Sequence, residues 1–140
     1  MSETTQGPAE LLAGIDLFSG LSRGQFKRLL SLAREVQHQP AHEVAHEGLG
    51  SLAFHLVLSG QVSVSKNGRE LRRLGPGEYF GEISMIDGKP RSATVTAEEP
   101  TRTIAIAHTV FVDLLREEPE FAVGLLKLLC ARLREAEAVT

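Results

Sequence analysis

Glu82 and Arg91 are the side chains in this sequence best placed to do chemistry together. They stand nine positions apart within the stretch 80–94, Phe-Gly-Glu-Ile-Ser-Met-Ile-Asp-Gly-Lys-Pro-Arg-Ser-Ala-Thr. The Gly88-Lys89-Pro90 step between them is turn chemistry that can fold the chain back and bring both to one site. Gly81 and Glu82 open what reads as a short helical start, and a helix start offers unpaired N–H donors and partial positive charge to a phosphate. Arg91 can add a planar two-pronged contact to phosphate oxygens. Glu82 only accepts hydrogen bonds when ionised, so it calls for a donor such as a ribose hydroxyl. Gly81 has no Cβ and lets a ligand approach the backbone. The bland reading of the same pair is a partly buried ion pair tying a loop to a strand.

This string resembles the phosphate-binding cassette of the cyclic nucleotide-binding domain. The catabolite activator proteins, the protein kinase A regulatory subunits and the cyclic-nucleotide-gated channels share that domain. The family pattern is Phe-Gly-Glu, a small or apolar pair, a variable turn, then Arg-(Ser/Thr/Ala)-Ala-(Thr/Ser). Phe80, Gly81, Glu82, Arg91, Ser92, Ala93 and Thr94 fill its fixed positions. The resemblance implies that Glu82 holds the ribose 2′-hydroxyl, while Arg91 and the amides of Ile83 and Ser84 hold the cyclic phosphate. The ligand-binding set is then Gly81, Glu82, Ile83, Ser84, Arg91, Ser92 and Ala93. Ser92 sits where the family bears on adenine against guanine, and cAMP is favoured over cGMP. Val62, Val64, Leu74 and Phe80 are candidates for pocket wall. Leu129, Arg132, Leu133 and Arg134 of the last helix are candidates for a cap over the base. Each apolar candidate, with Ile83, Met85 and Ile86, reads equally well as plain core. The text before residue 53 departs from the family's usual Glu-Gly-Asp-x-Gly: here it is Glu47-Gly48-Leu49-Gly50-Ser51, and His42 replaces a usual glycine. Those positions shape turns.

Other reactive groupings are weaker. His38, His42 and His46 recur every four residues, but Pro40 forbids the helix that would align them as metal ligands. They read as surface or turn residues, and His55 as a locally bonded strand residue. Cupin enzymes share a similar barrel but need a His-x-His, which is missing here. No Ser-His-Asp or Cys-His frame is recognisable. The expectation is no catalytic residue, no metal and no cofactor beyond the nucleotide ligand.

The elements that must hold the cassette follow from length and period. The chain has 140 residues, 42% apolar and 24% charged, enough for one ordinary globular domain. A formal net charge of −3 argues against nucleic acid as a main partner. No apolar run reaches the length of a membrane span, and no signal peptide is evident. One cysteine, Cys130, allows no internal disulfide and suits a reducing cytoplasm.

Residues 1–9 read as a flexible tail and 10–140 as a single domain. Leu11, Leu12 and Ile15 have helical spacing. Ser22 with Gln25 fits a capping box, Leu21 with Phe26 a hydrophobic staple, and Phe26, Leu29, Leu30 and Ala33 an apolar stripe that Pro40 bounds. From Val44 to Ala107 the period turns to alternation, with Asn67-Gly68 suited to a two-residue hairpin turn. Thr109 fits a cap for a helix to about 117, and Pro119 the first turn of another to about 137. On that last helix Ala122, Leu126, Leu129, Leu133 and Ala136 are spaced like a coiled-coil seam.

The expected fold is mainly β: an antiparallel jelly-roll barrel over about 40–108, with N-terminal helices and two C-terminal helices over about 109–138. The expected function is a non-catalytic cyclic-nucleotide sensor in the cytoplasm, acting through a protein effector or self-association. The transcription-factor members continue into a helix-turn-helix that this sequence does not include, so the expectation is a stand-alone domain, which could also serve as a binding store, or equally a fragment of a longer regulator. The alternatives are an interaction module that kept the barrel and lost the ligand, and, more weakly, a metal-dependent barrel enzyme.

Overall fold

The computed structural model describes residues 7–45, 52–90 and 93–138. Helix α1 (Pro8–Ala13) and a 3-10 turn (Asp16–Phe18) precede α2 (Arg23–Leu32). α1 therefore begins inside the stretch expected to be tail. The capping box at Ser22 and Gln25 is formed in both directions, so two end N–H groups of α2 are satisfied. Leu21 and Phe26 both pack onto the core.

Eight strands follow, β1 (Arg34–His38), β2 (Glu43–Ala45), β3 (Ala53–Ser59), β4 (Val62–Lys66), β5 (Arg69–Leu74), β6 (Tyr79–Phe80), β7 (Thr94–Ala97) and β8 (Thr101–Ala107). A short helix α3 (Glu82–Asp87) interrupts them, and α4 (His108–Glu117) and α5 (Pro119–Ala138) close the described chain. The β1–β8–β3–β6 and β2–β7–β4–β5 orders make two four-stranded antiparallel sheets. Among the described residues no strand is hydrogen-bonded into both, so the expected antiparallel jelly-roll takes the form of two facing sheets, not closed into a barrel, with helices on one side.

β3 explains this layering. All seven of its residues are buried. Phe54, Leu56 and Leu58 face the helices and join Ile104, Ile106, Phe111 and Phe121 in one core. Val57 faces the other sheet, where Val62, Val64, Leu74, Val95 and Ala97 form a second core. Alternation along one strand thus serves two apolar layers. The Asn67-Gly68 hairpin is as expected: φ is +54° and +77°, the paired left-handed values of a two-residue turn.

β1 begins six residues before the expected start of the barrel at 40. Its sequence, Arg-Glu-Val-Gln-His, is too polar to announce a strand. It is held by its register against β8, where Glu35 forms a two-pronged pair with Arg102 at 3.1 Å. His38, expected at the surface, is buried and bonds Thr103 Oγ1 at 3.2 Å. His42 is exposed and stacks on it, with ring centroids 5.6 Å apart. α4 starts at His108 rather than being capped by Thr109. β8 runs into it directly, and the His108 N–H bonds the Leu52 carbonyl at 2.7 Å.

Candidate functional site: a cleft at the start of helix α3

β6 is only two residues long, yet it sets the site. Phe80 is buried and pairs with His55 of β3, and the two rings stack at 5.1 Å with 10° between planes. The chain leaves this anchor at Gly81 with φ +84°, a left-handed turn that a side chain would resist. α3 starts at the next residue. Its first backbone bond runs from the Met85 N–H to the Gly81 carbonyl at 3.0 Å. The N–H groups of Glu82, Ile83 and Ser84 precede it and have no helical acceptor.

α3 is held from below. Met85 is fully buried in the helix-side core and Ile86 packs against that core, so these two residues are core and not cleft wall. Ser84 is buried, whereas Ile83 is 68% exposed at the cleft. At the far end Gly88 has φ +71°, and the Lys89 N–H bonds Asp87 Oδ1 at 2.9 Å.

A cleft of about 410 Å³ opens between this segment and the second sheet. Phe80, Gly81, Glu82, Ile83 and Ser84 line one side, and Val64, Ala93 and Val95 the other. Of the expected ligand-binding set, Gly81, Glu82, Ile83, Ser84 and Ala93 line this one cleft, with Phe80 and Val64 of the expected wall. Glu82 is half-buried and, among the described residues, its carboxylate has no hydrogen bond or ion pair, so its acceptors are free for a donor. Arg91 and Ser92 lie outside the described residues, as do His46 and the 47–51 turn. Pro90 and Ala93, on either side of the Arg-Ser step, both line the cleft.

Several expected wall and cap residues are elsewhere. Val62 and Leu74 are buried in the inter-sheet core behind the lining. Leu129 packs on the helix-side core, and Leu133 is 62% exposed. Arg132 bonds Asp16 Oδ1 at 2.7 Å and Tyr79 Oη at 3.2 Å, which ties α5 to the 3-10 turn and β6. None of the three lines the cleft in this conformation. Two cationic lining residues were missed by sequence reasoning, Arg72 of β5 and Lys89 of the turn. Arg72 carried a signal, since it shares strand parity with inward-facing Leu74. Among the described residues no group of three His, Cys, Asp or Glu is placed to hold a metal. No helix among them is long and apolar enough to cross a membrane.

Facing sheets, a short helix with a left-handed glycine before it, and a cleft at that helix start define the domain. The sequence pattern of the Cyclic nucleotide-binding domain family matches residues 35–118, and the chain belongs to that family. It is 34% identical over 131 residues to the "Cyclic AMP receptor protein" of Thermus thermophilus, covering 90% of this chain and 61% of that protein. It is 39% identical over 107 residues to a "cGMP-dependent protein kinase" of Eimeria tenella, covering 76% of this chain and 11% of that one. The chain thus spans less than two thirds of either relative. Among solved structures, the N-terminal domain of a transcriptional regulator from Streptomyces coelicolor A3(2) superposes with a TM-score of 0.81 at 29% identity. That match covers 92% of this chain and 94% of the other.

Proposed function

We propose that this chain binds a cyclic nucleotide, cAMP in preference to cGMP, and acts as a non-catalytic sensor in the cytoplasm, with residues 10–140 forming one binding domain. The observation that carries the reading is the cleft at the start of α3, where Gly81, Glu82 and Ser84 meet an apolar sheet wall. The free N–H groups of Ile83 and Ser84 and the Arg91 guanidinium hold the cyclic phosphate. Glu82 accepts from the ribose 2′-hydroxyl. Phe80, Val64 and Val95 give the base an apolar bed. Ser92, next to the phosphate-binding arginine, favours cAMP, in keeping with the relative named as a cyclic AMP receptor. No cofactor takes part, and the nucleotide is the whole small-molecule requirement.

The output runs through the C-terminal helices. α5 leaves Val123, Leu126 and Leu133 exposed, and Cys130 lies exposed between the last two. Steps of three, four and three residues put these four in one stripe suited to self-association or a protein effector. Ligand moves this output only through its different affinity for two arrangements of the helices.

A thermal melt of the purified chain with cAMP or cGMP tests the reading. At one hundred times the dissociation constant a ligand adds about 2.7 kcal/mol of stability, a clear rise in Tm. No rise with either nucleotide would leave a domain that kept the fold and lost the ligand.

A further inference from the structure

A row of polar side chains runs between the two sheets to the cleft, and nucleotide binding as described gives it no role. His38 and His55 are buried, and Thr103 is fully buried between them. His55 shares strand parity with Val57, which faces the second sheet. Thr103 Oγ1 lies 3.2 Å from His38 Nε2 and 3.1 Å from His55 Nδ1. The exposed His42 stacks on the His38 ring, and the His55 ring lies flat against Phe80. Phe80 lines the cleft and immediately precedes the left-handed Gly81. From solvent at His42 to the cleft at Phe80, these five side chains form one contiguous row.

The Thr103 hydroxyl has a single proton. It donates to one ring nitrogen and accepts from the N–H of the other, so one of the two facing nitrogens is bare. A proton taken up there makes both rings donors, leaves the hydroxyl proton without an acceptor in the row and puts a charge between apolar layers. Little around the row offsets that charge. The second sheet adds apolar residues to the inter-sheet core, from Val44 and Val62 to Val95 and Ala97. Glu43 of β2 is exposed, and Glu35 and Arg102 pair with each other on the opposite face of the first sheet. Arg72, Glu82, Asp87 and Lys89 line the cleft beyond Phe80. Burial and then His42 hold His38 below the ordinary histidine range. Relief of the buried charge comes from moving the rings apart, and moving His55 withdraws the face on which Phe80 rests. From this juxtaposition, and resting on the cyclic-nucleotide reading, we infer that the row is a proton-sensitive switch on the cleft: proton uptake between the sheets unseats Phe80 and weakens nucleotide binding. Binding is full where the row is neutral and declines as pH falls through its titration. By linkage, bound nucleotide must in turn hold the row neutral.

Calorimetric titration of cAMP at about pH 7.5 and about pH 5.5 into the wild-type chain, His38→Gln and Phe80→Leu tests this. Wild-type affinity is expected to fall by about fivefold or more toward the lower pH, the scale of ordinary coupling between sites. His38→Gln keeps a partner for Thr103 and is expected to match the wild type at the higher pH and to lose most of the decline. Phe80→Leu keeps the wall apolar and breaks the ring contact. Its affinity should decline less with pH, while its melting temperature stays as acid-sensitive as that of the wild type. In the wild-type chain, NMR of the ring protons should show saturating cAMP lowering the midpoint at which His38 titrates. Equal affinity at both pH values, tighter binding at the lower one, a parallel decline in both variants or an unmoved His38 midpoint would each overturn the inference and leave the nucleotide reading standing. A folded wild-type chain that binds no cAMP at the higher pH would overturn both. Melting curves at each pH establish that every protein is folded.

Discussion

His108 Nδ1 lies 2.8 Å from the backbone carbonyl of Met85, so the first residue of α4 donates to the helix that opens the cleft. Because a carbonyl can only accept, the proton sits on Nδ1. The same ring lies over Gly88, where an added Cβ would come 2.6 Å from His108 Nε2. One side chain thus joins the cleft-lining helix to the C-terminal helices.

His108→Ala is expected to cost about 1 kcal/mol of stability through the lost bond, and to weaken nucleotide binding by freeing α3. Gly88→Ala should destabilise by about 1–3 kcal/mol, from left-handed strain together with the clash on the ring. Denaturant unfolding of both single variants and the double variant separates the two causes. In the double variant the clash is gone and the strain remains, so its loss should be less than the sum of the singles. Strict additivity would show that ring and glycine do not interact.

Gly68→Ala isolates backbone strain. Nothing lies within 4 Å of the position its Cβ would take, but φ is +77°. A loss of about 1 kcal/mol is expected from conformation alone, read as a lower denaturant midpoint at unchanged slope. No loss would mean that the β4–β5 turn can relax to another type.

His38 gives stability a pH dependence. Burial first, and the neighbouring His42 second, hold its pKa below the ordinary histidine value. The folded protein therefore prefers the neutral ring. The stabilisation is complete above the unfolded-state value of roughly 6.5 and is lost as pH falls through the lower folded-state value. His38→Gln keeps a partner for Thr103 and removes the titration. Melting temperatures taken between neutral and mildly acidic pH should fall less steeply in that variant. Parallel curves would assign the acid sensitivity to other groups.

What was legible in the sequence was what is local. The 80–94 string, the Ser22 box and the Asn67-Gly68 turn each lie within a few residues, and each takes the conformation its residues dictate wherever the structure describes it. β1 was not legible, because Arg34–His38 becomes a strand only by pairing with β8 far along the chain. The burial of His38 depends on that pairing and on Thr103. Arg72 shares its face with Leu74 two residues on, but that this face meets a cleft depends on its pairing with Val64 of the neighbouring strand. Arg132, a cap candidate, is bonded in this conformation to Asp16 and Tyr79, partners far along the chain that its own helix does not announce. That the jelly-roll is two unclosed sheets follows from strand pairings that periodicity along one chain does not encode.

The central claim is that the start of α3 and Arg91 together hold a cyclic phosphate. Calorimetric titration of cAMP into the wild-type chain and Arg91→Ala tests it most directly. The account predicts saturable one-to-one binding by the wild-type chain. It predicts a loss of about 2–5 kcal/mol in the variant, enough to remove measurable binding at micromolar affinity. Unchanged affinity in a folded Arg91→Ala protein would contradict it.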